Sequence, residues 1–387
     1  MNKDRVEVPH LSELHTHTSA KWRDFPSDVL PLHVAEMDFP VAEPIRNKIN
    51  EMVSRSDLGY LGSIPELGAG FHKFASKRWG WNVDPLQVRA ATDVGVAVVE
   101  IIRAFTNSGD SILISSPVYH NFYSWINETK LKLVDVPFER TGDESKNPWQ
   151  INWKGIERAY QSGIKVHLLC SPHNPLGRIY TEEELIRIVE LANKHNVLVI
   201  SNELHAPLTF MGEKFVPILS LGKSAESVSV VVTAASKGWN IAGLKCALIV
   251  TQDKVLYEKL AVIPPATHWR SSILGGFATA VAYSEGEPWL DEVLTALDHN
   301  RRMLRDLLTA KLPSVRYHVP QATYLGWLDL EALNLGDNPS ERLLEKGKVA
   351  FNSGQSFGKQ CSQYVRINFA TSPTILTDAI DRITKVV

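Results

Sequence analysis

Three groups of polar residues in the middle of the chain each follow a short apolar run. They are residues 170–178 (CSPHNPLGR), residues 201–205 (SNELH) and residues 233–245 (TAASKGWNIAGLK). Short apolar runs are typical of buried strands, and ligands of open α/β sheets bind where the carboxyl ends of strands meet loops. We therefore expect the three groups to face one pocket.

Among the residues of these groups, Lys237 is the one whose side chain can take part in the most kinds of reaction. Its amine stands near the start of a loop, after a buried run and among small residues. A lysine in a partly apolar pocket can have its pKa lowered, and the neutral amine can attack a carbonyl to give a Schiff base. A single lysine after a strand is more often a solvated surface group, and Asn-Pro before glycine is more often a simple turn. The order and spacing of all three groups together favour a reactive site.

Strands and helices alternate through the part of the chain that carries these groups. The predicted strands are residues 111–115, 131–136, 165–169, 197–201, 229–233 and 247–251. The clearest helix between them covers residues 181–195, because Thr181 and Glu184 form a capping box before an apolar stripe. This alternation predicts an α/β fold with a mostly parallel central sheet that is covered on both faces.

The two ends of the chain differ from the middle in their pattern of predicted elements. After about residue 270 the predicted elements are helices at 271–285 and 287–311, a strand at 324–330, a helix at 338–347, a strand at 364–368 and a last helix opened by Ser372-Pro373. The first fifty residues are rich in proline, show little periodicity and are expected to wrap over another surface. The predicted domains are an N-terminal arm that adds to the small domain (1–50), a large domain (51–283) and a small α+β domain (284–387).

The composition makes several kinds of partner unexpected. The 387 residues are 44% hydrophobic and 22% charged with a net charge of −2, so nothing favours a nucleic acid or a membrane. Three widely spaced cysteines show neither pairing nor a zinc spacing, which favours a reducing compartment. His10, His15 and His17 lack a framework of further ligands, so we expect a polar arm and no metal. Without a signal-like N-terminus or an apolar run of membrane length, a cytoplasmic protein is expected.

The combined pattern resembles a known enzyme family. The order of SPHNPLGR, SNELHAPL and SKGWNIAGL is similar to that in fold-type I pyridoxal-phosphate enzymes of the class I/II aminotransferase family. The stretches AEMDFP, LGYLG, SPVYHNFY, ATYLGWLDL and YVRINFA are most similar to its cystathionine β-lyase, or cysteine-S-conjugate β-lyase, branch. The similarity extends over nearly the whole chain from about Trp22. It implies the fold-type I PLP-transferase fold, pyridoxal 5′-phosphate as cofactor and a homodimer.

The resemblance also implies roles at the reacting centre. Lys237 would hold the cofactor covalently and then act as base and acid at the α-carbon of an amino-acid substrate. Asn174 would donate to the phenolic oxygen of the cofactor, and Tyr119 would stack on its ring. Arg366 would hold the α-carboxylate of the substrate with its two-pronged guanidinium.

A second set of expected contacts concerns the phosphate and the edge of the cofactor. The backbone N–H groups of Val94 and Gly95, ahead of a helix predicted at residues 96–105, would bind the phosphate. Ser236 would add a hydroxyl and Lys245 a positive charge, while His205 would support the contact to the ring nitrogen. Tyr60 would reach the phosphate from the neighbouring subunit.

Four positions depart from the family pattern. At Asn202 the family has aspartate, whose carboxylate pairs with the ring nitrogen of the cofactor and keeps it protonated. An amide carries no charge that stabilises a pyridinium, so we expect a neutral ring and slower chemistry wherever a protonated ring is needed. Ala234 replaces a serine that often binds the phosphate, Lys245 stands where aminotransferases commonly have arginine, and Gly238-Trp239 replaces Ser/Thr-Phe.

These observations leave three functions open. The leading hypothesis is a β-lyase that releases a thiol, pyruvate and ammonia from cystathionine or a related cysteine S-conjugate. The alternatives are an aminotransferase on the same scaffold and a catalytically weakened, cofactor-binding regulator. Because Lys237, Asn174, Tyr119 and Arg366 are all retained, simple decay of an enzyme is disfavoured.

Overall fold

The computed structural model describes residues 6–141 and 147–387, and its largest element is a sheet of seven strands. These strands are β1 Val88–Ala91, β2 Ser111–Ile114, β3 Lys132–Asp135, β4 Val166–Cys170, β5 Leu198–Asn202, β6 Ser229–Thr233 and β7 Ala247–Val250. Their order across the sheet is β1-β7-β6-β5-β4-β2-β3. Strand β7 is antiparallel to both neighbours and the remaining pairs are parallel, which confirms the mostly parallel sheet.

The central strands bury both of their faces. Along β6, Val230 and Val232 pack into one apolar cluster while Val231 packs into another on the opposite side. The same alternation occurs in β5, where Ile200 and Val199 belong to different clusters. Such strands read as continuous apolar runs and not as alternating patterns, because helices cover the sheet on both sides.

Nine helices of eight or more residues surround this sheet and build the C-terminal region. They are α1 Glu43–Ser54, α2 Pro65–Trp79, α3 Val94–Phe105, α4 Asn121–Glu128, α5 Trp153–Gln161, α6 Glu182–His195, α7 Ile273–Glu285, α8 Glu287–Lys311 and α9 Pro373–Thr384, counted within the described residues. The capping box predicted for α6 is present, with the Thr181 hydroxyl accepting from the Glu184 N–H and the Glu184 carboxylate accepting from the Thr181 N–H. Helix α9 begins where the Ser372 side chain accepts from the Ile375 N–H.

A smaller antiparallel sheet follows α8. Its strands are β8 Arg316–Tyr317, β9 Leu325–Asp329, β10 Asn352–Ser353 and β11 Tyr364–Asn368, in the order β8-β9-β11-β10. The helix expected at 338–347 is an α-helical turn, Pro339–Arg342, that continues as a π-helical turn over Leu343–Gly347. The C-terminal region is therefore the α+β unit that the sequence predicts.

The N-terminal segment is attached to this C-terminal unit. Leu30–Pro31 pairs in parallel with Val349–Ala350, and the short helices Leu11–Leu14 and Ala20–Arg23 lie before it. Lys21 and Asp38 form a buried ion pair with 2.7 Å between Nζ and Oδ1. Residues 33–37, here called the N-terminal strap, continue from that pairing toward the central sheet.

Short elements account for most differences from the predictions. The six predicted central strands are confirmed with ends that agree within one residue, but β1 is not among them. Helix α3 begins two residues earlier than expected because Asp93 caps it. The first fifty residues also contain the beginning of α1, which packs against α7. No helix in residues 6–141 and 147–387 is both long and apolar enough to cross a membrane.

Candidate functional site

A cavity of about 630 Å³ lies at the carboxyl ends of the central parallel strands. Among the predicted site residues, those that line it are Val94, Gly95, Tyr119, Asn202, Ser236, Lys237 and Lys245. Asn174 and Arg366 adjoin this group, because Arg366 donates to Asn174 and its charge acts on Lys237 and Tyr119. The groups after β5 and β6 therefore line one cavity, whereas the group after β4 does not line it, although β4 ends beside β5 at the same edge of the sheet.

Lys237 lies on a one-turn helix, Ala235–Gly238, directly after β6. Its Nζ donates to the carbonyl of Ala35 in the N-terminal strap at 2.6 Å. Burial, together with the nearby Arg366 charge and against the opposing charge of Glu36, lowers the pKa of this amine to about 8. A pKa near 8 leaves a useful fraction of neutral, nucleophilic amine close to neutral pH.

One end of the cavity is formed by the first turn of α3. The Asp93 side chain caps this helix by accepting from the Val96 N–H at 2.9 Å. The preceding N–H groups, those of Val94 and Gly95, have no acceptor within the helix, so they and the helix dipole favour an anion. A Cβ at Gly95 would lie 3.0 Å from Trp125 Nε1, so glycine lets Trp125 pack closely over this turn.

Positive side chains stand beside the same helix end. Lys245 lines the cavity, and its Nζ lies 3.4 Å from Asp93 Oδ2. Arg270 also lines it, although the sequence patterns did not single it out. Together with the Ser236 hydroxyl on the neighbouring wall, these groups could bind a phosphate.

Arg366 is buried on strand β11, beside the reacting end of the site. Its Nη2 donates to the His33 carbonyl at 2.9 Å and its Nη1 to Asn174 Oδ1 at 3.3 Å. Its Nε is buried and has no partner among the described residues. Burial lowers the pKa of this guanidinium to about 10, so it remains protonated at neutral pH and can still accept an anionic partner.

Tyr119 and Asn174 supply a ring face and an amide donor. Tyr119 forms part of the cavity wall, and its hydroxyl accepts from Asn121 Nδ2 at 2.8 Å. Burial raises the pKa of this phenol, so it is neutral at ordinary pH. Because the amide oxygen of Asn174 already accepts from Arg366, its Nδ2 is the atom left to donate to a ligand.

Asn202 ends strand β5 at the floor of the cavity. Its Oδ1 accepts from the Leu204 N–H at 3.2 Å, which leaves Nδ2 as the end that can meet a ligand. The neighbouring Glu203 turns away, where its Oε1 accepts from Ser201 Oγ and the Ile218 N–H, both at 3.0 Å. Asn202 therefore offers a hydrogen-bond donor and no charge.

His205 is buried, but within the described residues no hydrogen bond joins its side chain to Asn202. Its ring lies edge-on to Tyr324 at 6.2 Å between centroids, and its Nδ1 has no partner in the described chain. Burial, aided by the charges of Lys237 and Arg366, lowers the pKa of His205 to about 3, so the imidazole is neutral.

Two other predicted features lie away from the cavity in this single chain. Tyr60 is 87% exposed on the loop between α1 and α2. Trp239, whose effect on the pocket the sequence left undefined, is fully buried among Phe74 and Tyr283, with its Nε1 donating to the Gly286 carbonyl at 2.8 Å. Trp239 therefore packs the core and does not line the cavity.

The N-terminal strap is the part of the site for which the sequence analysis assigned no roles. The Ala35 carbonyl accepts from both Lys237 Nζ and the Tyr324 hydroxyl, the latter at 2.9 Å. Asn368 Nδ2 donates to the carbonyls of Val34 and Glu36 at 2.8 Å and 2.6 Å. The stretches AEMDFP and ATYLGWLDL contain some of these residues and resemble the family, but the resemblance did not indicate which atoms would be in contact.

The side chains fit pyridoxal phosphate. The cavity combines an anion site at a helix end, an amine with a lowered pKa, a flat aromatic wall and a polar group at the strand end, and the free amide donor of Asn174 lies outside its lining, beside Arg366. These are the partners that a phosphate, an aldehyde, a pyridine ring, a ring nitrogen and a phenolic oxygen respectively require.

Comparison with known proteins places the chain in a family. The family model for aminotransferase class I and II matches residues 27–383. Cystathionine beta-lyase of Corynebacterium glutamicum is 33% identical, over 98% of this chain and all of that protein, and cystathionine beta-lyase PatB of Bacillus subtilis is 32% identical, over 92% of each. The crystal structure of cystalysin from Treponema denticola, which contains pyridoxal 5′-phosphate, superimposes with a TM-score of 0.91 at 26% identity, over 100% of this chain and 99% of that one. The chain therefore belongs to the aminotransferase class I and II family, in the branch that contains these cystathionine beta-lyases.

Proposed function

We propose that this protein is a pyridoxal-phosphate-dependent carbon–sulfur β-lyase that acts on cystathionine or a related cysteine S-conjugate. The observation that carries the proposal is that Lys237, whose burial helps lower its pKa to about 8, lines the cavity, while the charge of the buried Arg366 acts on the same amine. The relatives named as cystathionine beta-lyases, at 32–33% identity over nearly their full lengths, support the same reaction.

The proposed cofactor contacts follow from the geometry of the cavity. Pyridoxal phosphate, when bound, supplies an electron sink conjugated to the α-carbon of the substrate. The first turn of α3, with Ser236 and Lys245, would hold the phosphate. Asn174 Nδ2 would donate to the phenolic oxygen, Tyr119 would cover one ring face, and Asn202 Nδ2 would donate to the ring nitrogen. His205, being neutral and turned toward Tyr324, would support this wall through packing.

Arg366 and Lys237 would act on the substrate itself. Arg366 would bind the α-carboxylate, and its buried, unpaired Nε–H is the donor that remains open for this contact. Lys237 Nζ would take the proton from Cα. The electron pair then forms the Cα=Cβ bond as the Cβ–S bond breaks, and the thiolate leaves with the sulfur pair and accepts a proton. Hydrolysis of the product gives pyruvate and ammonia.

We further propose that the active form is a homodimer. Tyr60 and Leu58 lie on one loop and are 87% and 54% exposed, although both are large and largely apolar. A second copy of the chain would cover this loop and bring the Tyr60 hydroxyl to the phosphate end of the other subunit.

The test is turnover by the purified, cofactor-loaded protein. Thiol and pyruvate should appear in equal amounts from cystathionine and S-methylcysteine, and Lys237→Ala should remove both activities. Lys254→Ala, at a side chain that is 88% exposed, is the matched control and should be unaffected.

Two outcomes would overturn the lyase. Turnover that depends on an added keto acid, without thiol release, would identify an aminotransferase. Absence of turnover with every sulfur substrate, in protein that still binds the cofactor, would favour a regulatory role.

A further inference from the structure

Asn240 joins the segment of the reactive lysine to the N-terminal strap. It follows Lys237 by three residues, directly after the one-turn helix and its C-cap, and has a left-handed backbone with φ of 56°. Its Nδ2 donates to the Met37 carbonyl at 2.9 Å, and its Oδ1 accepts from the Met37 N–H at 2.8 Å. One side-chain amide therefore binds both backbone groups of a strap residue.

The strap also binds the amine of Lys237 itself. The Ala35 carbonyl accepts from Lys237 Nζ at 2.6 Å, two residues before Met37. Among the hydrogen bonds of the described residues, only those of Lys237 and Asn240 join the strap to residues 234–245. The bonds from Asn240 therefore determine how closely the strap lies against the segment that carries the lysine.

The strap is held independently by the C-terminal unit. Asn368 Nδ2 donates to the carbonyls of Val34 and Glu36 at 2.8 Å and 2.6 Å. These bonds do not involve Asn240, so the strap remains over Lys237 when Asn240 is changed. A substitution at Asn240 is therefore expected to loosen one contact of the strap without releasing it.

The free amine of Lys237 needs a fixed position in the proposed reaction. It has to be free of the cofactor when it takes the proton from Cα, and its flexible four-carbon stem allows many positions unless a partner restricts it. A carbonyl that accepts one N–H hydrogen restricts the amine and leaves the lone pair of the nitrogen for the proton. The Ala35 carbonyl meets this requirement.

We propose that Asn240 is a positioning residue for Lys237: it fixes the strap so that the Ala35 carbonyl holds the free amine in place for proton transfer at Cα. The inference rests on the proposed role of Lys237 as the base and adds the residue on which that role depends. An amide suits this task because it donates and accepts at the same time, whereas a carboxylate only accepts.

The first test uses the full-length protein without cofactor and does not depend on turnover. Asn240→Gly removes both bonds to Met37, and glycine readily adopts the left-handed backbone. The rate at which added pyridoxal phosphate attaches to Lys237, followed by absorbance across pH, gives the pKa of the amine, which is about 8 in the wild type. An acceptor binds an ammonium more strongly than a neutral amine, and the strap still covers Lys237, so the pKa in N240G should be roughly one unit lower.

The second test measures proton transfer in the cofactor-loaded protein. With cystathionine as substrate, kcat for pyruvate release in N240G should fall roughly 10- to 100-fold, because the base is misplaced. KM should stay close to that of the wild type, since Asn240 does not contact Arg366. The isotope effect of α-deuterated cystathionine on kcat should increase, because removal of the α-proton becomes the slow step.

Controls separate positioning from a general effect on the fold. Asn334→Gly changes an exposed asparagine that also has a left-handed backbone, with φ of 51°, and should match the wild type in both tests. Asn240→Asp keeps an acceptor for the Met37 N–H but loses the donor to the Met37 carbonyl, so kcat should fall with KM unchanged; this variant decides the question if N240G does not fold.

The inference requires both results. An unchanged or higher pKa of Lys237 in N240G overturns it, as does an unchanged kcat. A lower kcat without a larger isotope effect assigns Asn240 to the fold and also overturns it. If the wild type releases no pyruvate from cystathionine, the lyase function fails, while the attachment of pyridoxal phosphate still shows whether Asn240 acts on Lys237.

Discussion

Replacing Asn202 by aspartate tests how the site treats the ring nitrogen of its cofactor. In the structure the Leu204 N–H donates to Asn202 Oδ1, so an aspartate would keep this bond with one oxygen. Its other oxygen would occupy the position of Nδ2 and face the ring nitrogen. The change therefore exchanges a neutral donor for a charged acceptor at one point and leaves the backbone in place.

The surroundings of Asn202 supply no compensating negative charge. Burial raises the pKa of Glu203 to about 8, so its carboxyl is protonated at neutral pH, and burial lowers the pKa of His205 to about 3, so its ring is neutral. Arg366 and Lys237 add positive charge on the other side of the site. With Asn202 in place, these surroundings together favour an unprotonated ring nitrogen over a protonated one.

The size of the effect follows from two hydrogen bonds. In the proposed contact, the amide of Asn202 would stabilise the unprotonated nitrogen by about 1 kcal/mol, whereas a carboxylate would stabilise the protonated nitrogen by about 1.5–3 kcal/mol. The two differences add to about 2.5–4 kcal/mol, and the desolvation of a buried carboxylate reduces this sum. At about 1.4 kcal/mol per pH unit, Asn202→Asp should raise the pKa of the ring nitrogen by roughly 2 units.

Nitrogen-15 NMR of the protein loaded with ring-labelled cofactor measures this pKa without turnover. The wild type should show an unprotonated nitrogen across neutral pH, and Asn202→Asp a protonated one. Asn121→Asp adds the same charge elsewhere on the cavity wall and should not move the nitrogen signal. Identical signals in the wild type and Asn202→Asp would refute the account of Asn202. Exchange of the α-proton with solvent should also be faster in Asn202→Asp.

Three further substitutions address other parts of the structure. Arg366→Lys replaces a fork by a point charge, so KM for cystathionine should rise about 10-fold or more in steady-state assays, and an unchanged KM would place the α-carboxylate elsewhere. Tyr60→Phe should weaken cofactor binding, measured by fluorescence titration. In a mixed dimer of one Tyr60→Phe chain and one Lys237→Ala chain, the weakened binding should appear in the subunit opposite the Tyr60→Phe chain. Weakened binding in the Tyr60→Phe subunit itself would contradict the proposed dimer. Burial raises the pKa of Glu203 to about 8, so the unfolded chain releases this proton from about pH 4.5 upward while the folded chain keeps it until about pH 8. The free energy of unfolding should therefore fall as the pH rises from about 4.5 to about 8. Urea unfolding at both of these pH values should show a smaller fall in Glu203→Gln than in the wild type. An equal fall in the two proteins would show that Glu203 is not the cause.

The central sheet and its pocket could be predicted because their signals are local. A buried parallel strand is a continuous apolar run, and polar residues directly after it must lie at the edge where neighbouring strands also end. Thr181 and Glu184 mark the start of α6 within four letters of sequence. Strand β1 escaped prediction because Arg89 interrupts its short run, with the guanidinium stacked 3.8 Å from the Tyr257 ring centroid.

Features that depend on distant partners were not predictable. Lys237 and Trp239 are two residues apart, yet one enters the cavity and the other enters the core, since a one-turn helix directs them to different sides. The contact of Lys237 with Ala35 joins backbone and side chain across 202 residues. A backbone carbonyl has the same chemistry at every position, so no residue type could mark Ala35 as its acceptor.

The N-terminal strap ties the completion of the site to the completion of the chain. Its bonds to Arg366 and Asn368 span 333 and 334 residues, so the strap leaves the ribosome long before its partners are made. Closing so long a loop comes late in folding, after the locally connected helices and parallel strands have formed. A nascent or C-terminally shortened chain can therefore build much of its sheet and still lack a finished pocket. The bonds of the strap to Arg366 and Asn368 can form only after residues 366–368 have been synthesised.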